Sequence, residues 1–149
     1  MDISFDQVNE LINKISKDIK KVEYKPDIIV AIGSGGLIPA KLIKKNFDVP
    51  IINLGIMYYN DDKKLIKEPI IYQDITKEQI NNKNILLIDE IDDSRSTLKF
   101  ALQKLNNMKP NDILVSVLHN KKRDKVHVIK EKYIYGKDVE NIWINYPWE

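Results

Sequence analysis

Four short apolar runs govern what this chain can become: "DIIVAIG" (27–33), "VPIINLGIM" (49–57), "NILLIDEI" (84–91) and "DILVSVLHN" (112–120). Each is rich in β-branched residues and lacks the polar–apolar alternation of a half-exposed strand, which is the pattern of a strand buried on both faces. Such strands lie in parallel sheets, where each crossover is made by a helix. The chain is therefore expected to be α/β, with a central, mostly parallel sheet flanked by helices. Ligands of such sheets gather beyond the carboxyl ends of the strands, so the chemistry should follow residues 33, 57, 91 and 120.

The segments between the runs carry helix signals. Ser4 and Gln7 have capping-box spacing, with Ile3 and Val8 placed as a hydrophobic staple. Phe5, Val8, Leu11, Ile12, Ile15 and Ile19 then recur at three- and four-residue steps, giving one apolar stripe that must lie on the sheet. "SGGLIPAKLIKKN" reads as a second helix with Pro39 near its start and lysines toward its end. A third, from about Ser94 to Asn107, would pack through Leu98, Ala101, Leu102 and Leu105. The polar stretch "YYNDDKKLIKEP" (58–69) predicts a mobile loop, "IIYQDI" a strand leading back, and Thr76 with Gln79 the cap of a short helical turn. The tail "YIYGKDVENIWINYPWE" reads as irregular and aromatic.

At 149 residues, the chain is long enough for one domain and short for two, so 1–149 is read as a single domain. Its 24 basic and 22 acidic residues leave a formal charge of +2, which gives no basic excess to suggest nucleic acid. The absence of cysteine excludes disulfides, thiolate nucleophiles and thiolate metal sites, and two histidines cannot make a zinc site alone. The N-terminal segment interrupts its apolar residues with charges, unlike a signal peptide, and no later run has membrane length. A cytoplasmic protein is expected.

The third run ends in a knot of charge. Asp89, Glu90, Asp92 and Asp93 are followed at once by Ser94, Arg95, Ser96 and Thr97. Main-chain N–H groups at a helix start, joined by hydroxyls, make an anion site suited to a phosphate monoester. The glycine and lysine spacing of a nucleotide-triphosphate loop is missing. Carboxylates beside a phosphate repel it unless something positive or rich in hydroxyls lies between, and Mg2+ and a sugar would both serve. A strand end before a capped helix can also be merely structural, but four acids together raise an electrostatic cost that a plain turn has no reason to bear.

On these residues the chain resembles the type I phosphoribosyltransferases. Their signature is four apolar residues, two acids, an aliphatic, a variable residue, Asp and a small hydroxylated loop, and "ILLIDEIDDSRST" (85–97) fits it position by position. "KPDIIVAIGSGGLIPAKLI" is similar to the pyrophosphate-loop region of the purine members, and "VLHNK" and "WINYPWE" to their purine-binding segments. The hypoxanthine, xanthine and guanine enzymes of the short bacterial and the fungal kind are the nearest in pattern. The resemblance implies the family's fold, with a small hood from the N- and C-terminal segments. It also implies transfer of 5-phosphoribose from phosphoribosyl pyrophosphate (PRPP) to N9 of a 6-oxopurine in purine salvage, with Mg2+ as cofactor. A homodimer or homotetramer with no nucleic-acid or membrane partner goes with it.

Carried over residue by residue, the resemblance puts Asp89 and Glu90 on the ribose hydroxyls and on Mg2+, with Glu149 as a further magnesium-side acid. Asp93 would be the catalytic acid or base at purine N7. Asp93, Ser94, Arg95, Ser96 and Thr97 would hold the 5-phosphate, and Ser34 with Gly35 the pyrophosphate through main-chain amides. Lys121 would donate to the purine 6-oxo group, Trp143 would stack on the ring and the Ile144 carbonyl would read C2, with Asn145 nearby able to shift preference among bases. Tyr58 and Tyr59 would begin a loop that closes over the diphosphate. Lys122 competes with Lys121, which lies closer to the strand end. His119 reads as a hydrogen-bonded strand-end residue, and Trp148 as core.

The chain departs from the family pattern at Arg95, a position commonly glycine though arginine is expected in the fungal branch, at Asp92, commonly aliphatic, and at Ser34, frequently basic. Two rival readings are a non-catalytic PRPP-sensing regulator that binds nucleic acid, and an enzyme of the same fold acting on orotate or adenine. Near-neutral charge opposes the first. A lysine donor, which suits a carbonyl and opposes an amino group, argues against adenine.

Overall fold

The Ser4 capping box closes as its spacing predicts: the Gln7 amide donates to Ser4 Oγ at 3.1 Å, and the Ser4 amide to the Gln7 side chain at 2.8 Å. It starts α1 (Phe5–Lys21), whose Val8, Ile12, Ile15 and Ile19 are buried. The computed structural model describes residues 1–59 and 65–149. After α1 come β1 (Ile28–Gly33), α2 (Leu37–Lys44), β2 (Ile51–Tyr59), β3 (Leu65–Gln73), α3 (Lys77–Ile80) and β4 (Asn84–Asp92), followed by α4 (Ser96–Asn107), β5 (Asp112–Lys121) and β6 (Lys132–Val139).

The strands form one sheet in the order β3-β2-β1-β4-β5-β6. All neighbours pair parallel except β2 with β3. The expected α/β architecture is therefore present, and its cause is visible in burial: every residue of β1 is buried, since helices cover both faces of the sheet. One core lies beneath α1 and α2 and includes Ile29, Leu86, Ile88 and Leu114. The other lies beneath α4, where Leu98, Ala101, Leu102 and Leu105 pack on Val30, Leu87 and Val115. Full burial of such a side chain stabilises by about 2 kcal/mol.

Two expectations need correction. The stretch 58–69 is not all loop: β2 runs through Tyr59 and β3 begins at Leu65, with residues 60–64 outside the described ones. The polar residues there signal an edge hairpin, because an antiparallel edge strand need not bury both faces. The expected return strand "IIYQDI" forms the later part of β3. The tail is likewise not irregular throughout, since 132–139 adds β6 alongside β5. As a sheet edge this strand is half-buried, so it lacks the continuous apolar signal of the central strands.

The two chain ends meet as the expected hood. Asp2 bridges Asn145, with the Ile3 amide on the Asn145 carbonyl at 2.9 Å and the Asn145 amide on the Met1 carbonyl at 2.8 Å. Among the described residues, no helix is long and apolar enough to cross a membrane.

Candidate active site

The carboxyl ends of β1, β2 and β4 surround a cavity of about 340 Å³, lined by residues 32–35, 56–58 and 89–98. Parallel pairing brings them together: Gly33 sits beside Gly55 on one side, and on the other β1 runs alongside β4 up to the Ala31–Ile88 pair. Ser34, Gly35, Asp89, Glu90, Asp93 and the loop 94–97 thus share one space. Gly35 and the Glu90 side chain are close neighbours, since a Cβ on Gly35 would lie 2.7 Å from Glu90 Oε1. The Gly33–Ser34 peptide is cis.

The acid pair is held under electrostatic tension. Removal from water pushes the Asp89 carboxyl well above the usual range, the neighbouring Glu90 charge adds to this, and a hydrogen bond from the Glu90 amide partly offsets it. Burial first, and then the charge of Glu149, push Glu90 up to about 7, opposed by the Trp148 indole, which donates to Glu90 Oε2 at 2.9 Å. Two half-buried acids reluctant to ionise gain from any partner that brings hydroxyl donors or a cation.

The hydroxylated loop is ordered from within. Ser94 Oγ lies 3.0 Å from Ser96 Oγ and accepts from the Ser96 amide at 3.3 Å, while Tyr58 donates to the Ser96 carbonyl at 3.3 Å. Arg95 precedes α4 with φ 75° in the left-handed region, and no side chain caps that helix start. The start of α4 borders the cavity beside the two serines, a place where a helix start can offer an anion site.

Asp93 and Lys121 are brought together across β4 and β5. Lys121, nearly buried, places Nζ 3.3 Å from Asp93 Oδ2. Lys122 turns outward to Glu140. Arg123 donates to the other Asp93 oxygen at 2.9 Å. His119 is buried, with Nδ1 2.8 Å from the Tyr146 hydroxyl, and Tyr146 donates to the Glu90 carbonyl at 3.2 Å.

The structure does not bring every expected residue to the cavity. Trp143 is 73% exposed, with its indole on Asn145 Oδ1. Ile144 is buried in the core beneath α1. Glu149 is exposed and acts on Glu90 through its charge. Trp148, read from the sequence as core, does pack against the core beneath α1, and it also donates to Glu90 and stacks on Tyr146 with centroids 5.0 Å apart. Arg123, Lys125, Tyr133 and Tyr146 are not legible as site residues, because nothing in their local spacing marks contacts made 30 or more residues away.

Asp92 also behaves differently from the other acids. Leu86, Ile88 and Ile91 all pack on the core beneath α1 and α2, so the strand's alternation slips between 88 and 91. Asp92 turns inward, fully buried, to Arg95 and Tyr133. All four acids of the knot border the cavity, but the Asp92 carboxylate is committed to an internal ion pair.

The sequence and fold are matched in known proteins. Over its whole length the chain is 30% identical to xanthine phosphoribosyltransferase 1 of Saccharomyces cerevisiae, covering 89% of that protein. Among solved structures, a hypothetical protein from Neisseria gonorrhoeae with bound ppGpp is 33% identical at a TM-score of 0.88, covering 99% of this chain and 87% of that one. A purine phosphoribosyltransferase from Pyrococcus horikoshii is 25% identical at 0.81, covering 100% of this chain and 93% of that one. Since the phosphoribosyl transferase domain family matches residues 2–149, the chain belongs to the phosphoribosyltransferases.

Proposed function

We propose that this protein is a purine phosphoribosyltransferase that transfers 5-phosphoribose from PRPP to N9 of a 6-oxopurine, releasing pyrophosphate. The observation that carries the reading is the convergence on one cavity of an acid pair, a hydroxylated helix start and the Ser34–Gly35 turn. The full-length likeness to a xanthine phosphoribosyltransferase supports the purine class.

In this reading Asp89 and Glu90 accept hydrogen bonds from the ribose hydroxyls, and their charge stabilises the positive charge that develops on the ring as pyrophosphate departs. Main-chain amides of Ser34 and Gly35 hold the leaving group. Ser94, Ser96, Thr97 and the amides beside them take the 5-phosphate. The N7 and O6 atoms of a 6-oxopurine lie about 3 Å apart on one edge, so Asp93 and Lys121, themselves 3.3 Å apart, suit that edge together. As N9 bonds to C1 and the bond from C1 to the pyrophosphate oxygen breaks, the N7 proton passes to Asp93. Trp143 and the Ile144 carbonyl, which lie outside the cavity lining, would take part only if the base reaches the tail.

Mg2+ fits the residues in a limited way. Among the described residues, no three His, Asp or Glu side chains form a ready metal cage. Asp89 and Glu90 nonetheless carry poorly compensated acid oxygens, and magnesium is commonly held by one or two carboxylates plus substrate phosphates. Asp89 and Glu90 would hold it, with Glu149 adding negative charge nearby, and when bound it would offset charge on the diphosphate. The regulator reading has less support, because a formal charge of +2 offers little for nucleic acid.

The test is a spectrophotometric assay of purified protein with PRPP, Mg2+ and, in turn, hypoxanthine, guanine, xanthine, adenine and orotate. Turnover of a 6-oxopurine is expected. Turnover of adenine or orotate alone, or of none, would overturn the proposal.

A further inference from the structure

The buried Asp92 is the hub of a network that no substrate group needs to touch. It accepts from Arg95 Nε at 3.0 Å and Nη2 at 2.7 Å, and from the Tyr133 hydroxyl at 2.7 Å. Lys125 Nζ stands 3.6 Å from its other oxygen. Arg95 Nη1 donates to the His127 carbonyl at 3.2 Å, and its guanidinium lies 5.4 Å from the Tyr133 ring centroid. The Arg95 side chain is thus spent inward, although its residue lies in the loop that lines the cavity.

The same segment fixes the direction of the loop backbone. Lys125 Nζ donates to the Asp92 carbonyl at 2.8 Å and the Asp93 carbonyl at 2.7 Å, and the Val126 amide to the Ser94 carbonyl at 3.0 Å. Three successive carbonyls therefore face residues 125–126. In a planar trans peptide the N–H points opposite to the C=O, so the amides of Ser94 and Arg95 are turned to the other side. Arg95 at φ 75° completes the turn, in a region that glycine occupies freely and that a residue with a Cβ holds only when its surroundings force it.

We propose that Asp92, Arg95, Lys125 and Tyr133 are positioning residues for the phosphate loop: the ion pair holds the left-handed turn, and Lys125 turns the carbonyls away from the anion. Arg95 then serves a phosphate monoester through its main-chain N–H and not through its guanidinium. The inference rests on the function proposed above and assigns the device behind one of its subsites.

The test uses calorimetry of the full chain with ribose 5-phosphate as probe, each variant first shown folded by circular dichroism. Asp92→Asn and Arg95→Lys each weaken binding by about 10-fold or more, because a buried charged group loses its partner geometry. The double variant Asp92→Leu with Arg95→Gly recovers to within about 3-fold of the parent, since both members of the ion pair leave together, Lys125 keeps the Asp92 and Asp93 carbonyls, and glycine accepts the turn. A double variant as weak as Arg95→Gly alone would mean that the guanidinium binds phosphate directly, and would overturn the inference. Tyr133→Phe removes one hydroxyl and tests the network gently: KM for PRPP rises by about 3-fold or more while kcat is kept. An unchanged KM, or a fall in kcat alone, would also overturn it. A folded parent protein that ignores ribose 5-phosphate would instead overturn the phosphoribosyl reading itself.

Discussion

At Asp93 two cations meet one carboxylate, Lys121 on one oxygen and Arg123 on the other. The arrangement fixes the carboxylate in direction, which a proton acceptor requires. Asp93→Asn is expected to lower kcat by about 10²-fold with little change in KM for PRPP, measured by initial rates. His119 offers a prediction about pH. Burial, and then the charge of Lys137, hold it down to about 4 from an ordinary 6.5. Between those values the unfolded chain takes up a proton that the native chain refuses, so the His119 contribution to stability falls as pH drops from about 6.5 to about 4, opposite in sign to that of Glu90, which gains stability as pH drops below about 7. The His119 loss should reach about 3 kcal/mol, read as the difference between the parent and His119→Asn in urea titrations at a series of pH values.

Among the elements, α2 is seated closely on the sheet. A Cβ on Gly36, its first flanking residue, would lie 2.5 Å from the Ile88 carbonyl and 2.9 Å from that of Ile32. The helix start is therefore pressed onto the backbones of β1 and β4, and this contact sets the height of the Ser34–Gly35 turn above the sheet. Gly36→Ala should lower stability by about 2 kcal/mol in urea denaturation, as overpacking against rigid backbone does. The helices were the more legible elements, because α1 and α4 carry their apolar residues at helical spacing. β6 was less so, since an edge strand needs no continuous apolar run.

For the molecule as a whole, the hood is the part whose attachment matters most. Both tryptophans lie in the tail, and Trp148 reaches Glu90 and stacks on Tyr146, which itself holds buried His119. If the hood is part of one cooperative unit, tryptophan fluorescence will report the same thermal transition as far-UV circular dichroism, which reports the sheet. A fluorescence transition at clearly lower temperature would show that the hood unfolds by itself.

The sequence alone determined the sheet's central strands, the helices that cover them, and the place where chemistry collects, because each of these is written in local periodicity and in one contiguous signature. It also carried the residues 89–97 that dominate the cavity. What only tertiary structure decided is which charges answer one another. Asp92 pairs with Arg95 within the signature, but their turn is anchored by Lys125 and Tyr133, and Glu90 is met by Trp148 58 residues away. Such contacts depend on where strands and connections come to rest, and spacing along the chain carries no trace of them.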